Sequence, residues 1–176
     1  MAALLSSLAQ GQAIHVIRHQ ITAHPDTAVN SLSVSVSPSL VNFTLVSNGV
    51  AKASSAIDVT TSWAKTTCSP TCTVTLYGYF TSSTSALSSA TGGNIPSSAV
   101  LGEVTTGTPT SYTPFTQTGP FGGFGASLLL FSDTISSNAK KTTRTDALSL
   151  EIELSGQPQM PAGSYTGILN IQAQTL

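Results

Sequence analysis

Apolar and polar residues alternate with a period of two over most of the chain. In SLSVSVS, Leu32, Val34 and Val36 fall on one side and serines on the other, until Pro38 ends the run. LVNFTLVSNG follows, with Val41, Phe43 and Leu45 on one face and a turn at Asn48-Gly49. SSAIDVTTSWA gives the next strand. CTVTLYGYFTS gives another, carrying Val74, Leu76 and the aromatics Tyr77, Tyr79 and Phe80. Shorter alternating segments lie at 99–104, 126–134 and 147–154, and a last one at 164–172 closes the chain. Ser-, Gly- and Pro-rich turns separate about eight strands in all, and helical periodicity is absent after residue 30. The expected architecture is an all-β antiparallel sandwich over residues 31–176, preceded by an N-terminal arm over residues 1–30.

The arm is patterned differently. MAALLSSLAQ reads like the second half of a secretory signal, an apolar run followed by Ser-Leu-Ala, which predicts export. The basic segment that should precede such a run is missing, which leaves open a start upstream of Met1. QAIHVIRHQITAH then mixes both periods: Ile14 and Val16 share one strand face, while His15, Ile17, His19 and Ile21 share the other. A short helix over residues 2–10 followed by an extended arm fits this best. The apolar run is too short to span a bilayer.

Composition sharpens the picture. Only 7% of residues are charged and the net charge is −1, while 27 Ser and 26 Thr supply the polar surface. A surface so weakly charged repels its own copies little. Lys140, Lys141 and Arg144 are the one basic cluster and read as a solvated loop, so no footprint for nucleic acid appears. Cys68 and Cys72, in CSPTC, are expected to form a local disulfide across a turn, in keeping with an oxidising, extracellular setting.

Candidate chemistry is sparse. All three histidines, His15, His19 and His24, sit in the arm; the His15/His19 spacing brings two imidazoles together but offers a metal no third ligand except Asp26 or His24. No GxSxG, GxxxxGK[ST], HExxH or calcium-loop pattern occurs, and Glu151 and Glu153 share one strand face that is expected to flank solvent. The expectation is a protein without catalytic residues, cofactor or metal. Trp63 is expected to anchor the core rather than to serve as a sugar platform. The irregular stretch 106–125 carries Tyr112, Phe115, Phe121 and Phe124, which must either fold over a sandwich end or dock on a neighbour.

Two segments bear on family. SVSVSPSLVNFTLVSNGVAKASSAIDVTTSW near the start and MPAGSYTGILNIQAQ at the end resemble secreted bacterial pilin-type domains, such as spore-coat-U-like and other fimbrial subunits. The resemblance covers the two ends of the sandwich. It implies an Ig-like, pilin-like fold and a homopolymeric subunit on the cell surface that lends a strand to its neighbour. An assembly chaperone or usher would be a further partner. The lent strand would be residues 12–23, with Ile14, Val16, Ile17 and Ile21 filling pockets of the next copy. The competing expectation is a monomeric carbohydrate-binding or adhesin module built on Trp63 and the aromatics of residues 112–124.

Overall fold

The computed structural model describes residues 12–20, 29–65, 71–119, 125–135 and 141–175. These residues form thirteen strands in two sheets. All eight segments read from the alternation are strands: β2 (Val29–Ser37), β3 (Leu40–Phe43), β5 (Ile57–Lys65), β6 (Cys72–Tyr79), β9 (Val100–Val104), β11 (Ser127–Ile135), β12 (Lys141–Glu153) and β13 (Tyr165–Thr175). The others are β1 (Gln12–Gln20) and the short β4 (Val50–Lys52), β7 (Leu87–Ser89), β8 (Asn94–Ile95) and β10 (Thr113–Pro114).

The first sheet runs β11-β6-β13-β1-β3, with β7 and β8 attached to β13. The second runs β10-β9-β12-β5-β2, with β4 attached to the far end of β12. One continuous apolar core lies between them. Period-two alternation explains it: Leu32 and Val34 of β2 and Ile57, Val59 and Trp63 of β5 point inward from one sheet. Val74 and Leu76 of β6 and Leu169 and Ile171 of β13 do so from the other. At roughly 1.5–3 kcal/mol for each such side chain fully buried, this cluster is the main stabilising term. On the outer face of the second sheet hydroxyls pair across strands, Thr60 with Thr145 and Ser62 with Thr143, each at 2.8 Å.

Several expectations need correction. Every ladder but one is antiparallel; β1 and β13 run parallel. The basic stretch read as a solvated loop is the start of β12, because Arg144 finds acidic partners there; Lys140 lies outside the described residues. Glu151 is buried rather than flanking solvent. The Cys68–Cys72 bridge lies in part outside the described residues, because Cys68 is not among them. Cys72 is buried at the start of β6 and is not a free thiol. The helix expected over residues 2–10 lies outside the described residues as well.

Candidate functional site: a strand slot in the first sheet

The N-terminal strand occupies an interior position. On one side β1 pairs with β13 from Ala13↔Thr166 to Gln20↔Ala173. On the other it pairs with β3 from Gln12↔Phe43 to His15↔Leu40. No ladder joins β13 to β3 directly, so β1 is the link between them. Ile14 is fully buried, opposite Gly167 on one side and Val41 on the other. Removing that side chain beyond Cβ would cost about 2–5 kcal/mol, the range for large-to-small changes in a core.

The closing motif shapes one wall of this slot. Tyr165 is buried, and its hydroxyl donates to the carbonyl of Pro161 at 2.8 Å, folding the PAGSY corner onto the start of β13. The ring lies against Gly93 in the β7–β8 region, where a Cβ would collide with the phenol oxygen. Two residues on, a Cβ at Gly167 would collide with the carbonyl oxygen of Ala86. Glycine at both places lets the β7–β8 ribbon pair alongside β13, on the edge away from β1.

The candidate residues are distributed unevenly. Ile14 is in the core; Val16 and Ile17 lie on β1 in register with Leu169 and Asn170, and Ile21 lies outside the described residues. The expected burial of this segment in a sister molecule is therefore corrected for the single chain, where β1 fills a slot in its own sheet. Phe115 is fully buried, with its ring edge-on to Phe80 at 5.2 Å. Tyr112 is half-buried beneath the Lys52 ammonium at 5.5 Å. Phe121 and Phe124 lie outside the described residues. Trp63 is only 3% exposed and tilts against Phe131 at 6.4 Å, a core position that no sugar ring can reach.

Among the described residues, no group of three His, Cys, Asp or Glu could hold a metal ion. His15 and His19 sit on β1 in register with Ile168 and Gln172, while His24 and Asp26 lie outside the described residues. A dense charged cluster joins β11 and β12. Arg144 grips the buried Asp146 through Nε and Nη2 at 2.7 Å each, reaches Asp133 of β11 through Nη1 at 2.7 Å, and donates to the carbonyl of Thr106. Its guanidinium lies 4.4 Å from the centre of the Phe131 ring. Thr106 completes the set by donating its hydroxyl to Asp146 at 2.6 Å. Sequence reasoning missed this cluster, because its three charged members are spread over β11 and β12. No described helix is long and apolar enough to cross a membrane. The chain matches no family model, and no curated protein matches it.

Proposed function

We propose that this chain is the structural subunit of an extracellular filament or pilus, and that subunits connect by exchanging β1 between sandwiches. The observation that carries this reading is the interior place of β1. A slot bounded by β13 and β3 offers main-chain groups on both sides and an apolar pocket for Ile14. The β1 of another copy meets the same partners in the same register, so the filled slot is equally satisfied by either source. Residues 21–28 join β1 to β2, and at full extension they reach about 26 Å, enough to lead the strand into an adjacent molecule. Exchange that runs head to tail does not close on itself and yields a filament. The fimbrial resemblance of the two ends of the sandwich, the sparse charge and the secretion-like leader support the same reading.

A covalent trap tests it. Ala13 and Thr166 are register partners, so the pair Ala13→Cys and Thr166→Cys ties β1 to whichever β13 it lies beside. After oxidation, a ladder of covalent multimers on a non-reducing denaturing gel, absent in wild type, is the expected result. A single monomer band from material that forms filaments would defeat the proposal.

A further inference from the structure

We propose that the outer edge of β2 pairs with the β2 edge of a second copy, antiparallel and centred on Val34. The inference begins from how the sheet edges are finished. An edge strand presents a row of unpaired N–H and C=O groups, a template for pairing unless something blunts it. β10 is two residues long. β3 is four residues long, and Ser54 ties its outward side: the Ser54 amide donates to the carbonyl of Asn42 at 2.8 Å, and the Asn42 amide donates to Ser54 Oγ at 3.2 Å. β11 is closed by the chain's own loops. Gln117 and Ser127 exchange main-chain bonds at 2.8 and 3.1 Å, Gln117 Oε1 accepts from the Leu129 amide at 2.7 Å, and the Thr108 amide donates to the Leu130 carbonyl at 2.9 Å.

Among the described residues, β2 has none of these devices. It runs nine residues, pairs with β5 on one side, and ends the second sheet on the other. Between Ser31 and Ser37 it carries no charge and no proline, and its one irregularity lies before Ser31.

The pattern of β2 also matches itself. An antiparallel self-pair centred on Val34 sets Ser33 against Ser35, Leu32 against Val36 and Ser31 against Ser37. Every serine then meets a serine and every apolar residue an apolar one. Such a contact is isologous and closes on two copies. The hydroxyl rows of the outer face, Thr143–Ser62–Ser33 and Thr145–Thr60–Ser35, continue across the new seam. Leu32 and Val34 are already buried within one copy, so the seam adds mainly main-chain hydrogen bonds and cover for Val36. The pairing is therefore weak and concentration-dependent, below the size of a standard interface. It is independent of the slot for β1, which lies in the other sheet, and size separates a dimer from a filament.

Sedimentation velocity of the full chain from micromolar to millimolar concentration tests the seam, with circular dichroism as the check on folding. Wild type is expected to show a rising dimer fraction, with slower amide exchange over residues 31–37 at high concentration. The exposed pair Ser33→Lys and Ser35→Lys sets like charges opposite each other twice and should weaken the dimer roughly tenfold or more. The pair Ser33→Lys and Ser35→Glu sets opposite charges together and should restore it. Three results would overturn the inference: a wild type that stays monomeric throughout, the same association in both variants, or amide exchange over residues 31–37 that ignores concentration.

Discussion

The two longest sheet edges, β11 and β2, are finished in opposite ways. Both strands span nine residues. At β11 a loop folds back over the edge, Gln117 caps the Leu129 amide, and Arg144 fastens Asp133 to the neighbouring sheet. At β2 no second ladder among the described residues pairs the outward groups. With 7% charged residues, this chain cannot guard edges with rows of lysine, so an edge is either closed by its own loops or left open. An edge left open on one flank only, with a self-matching sequence, is one that can be used.

Breaking the guarded side should have the largest effect. Arg144→Ala leaves Asp146, 1% exposed, as a buried carboxylate with only the Thr106 hydroxyl donating to its side chain. Losing one partner of such a pair costs about 3–5 kcal/mol, read as a lower urea midpoint at unchanged slope. Gln117→Ala comes next. It removes the cap on the Leu129 amide and costs about 1 kcal/mol, while the main-chain bonds of Gln117 to Ser127 and of Thr108 to Leu130 still close the edge. Light scattering should therefore show no new association through β11.

The smallest effect lies on the outer face of the second sheet, away from β2. Burial raises the pKa of Glu151; Lys52 opposes the shift, while Glu153 and Glu103 add to it. A carboxyl whose folded-state pKa lies above its unfolded one penalises the folded state when ionised. That penalty is relieved as pH falls through the raised pKa. Glu151→Gln should therefore be more stable than wild type at neutral pH, with the difference closing on acidification. A difference in urea midpoint that stays constant with pH would remove Glu151 as its source.

The strands were legible wherever one face is buried and the other is not. SLSVSVS and CTVTLYGY declare themselves because the core demands every second residue. The short β4, β7, β8 and β10 could not be read, since two or three residues carry no period. β1 falls within the extended arm expected over residues 12–23, but its place inside a sheet was hidden for a different reason. It lies inside a sheet, paired in parallel on one side and antiparallel on the other, and its sequence alternates on neither face cleanly. The start of β12 looked like a loop because Lys141, Arg144 and Asp146 crowd it, and only the fold brings Asp133 alongside. Of the candidate contact residues, Ile14 is expected from sequence in a pocket of the next copy and Phe115 over a sandwich end or on a neighbour, yet both are buried here. The pockets they fill belong to their own chain, which no local pattern can reveal. That β2 is a strand was plain; that it ends a sheet is a property of strand order.

The side-by-side, same-direction course of β1 and β13 has a mechanical consequence. Tension applied at Gln12 and Thr175 in opposite directions pulls these two strands lengthwise past each other. The load then falls on every rung from Ala13 to Gln20 at once, instead of opening them one after another like a zipper. A chain held by those two points yields only when the whole ladder lets go together.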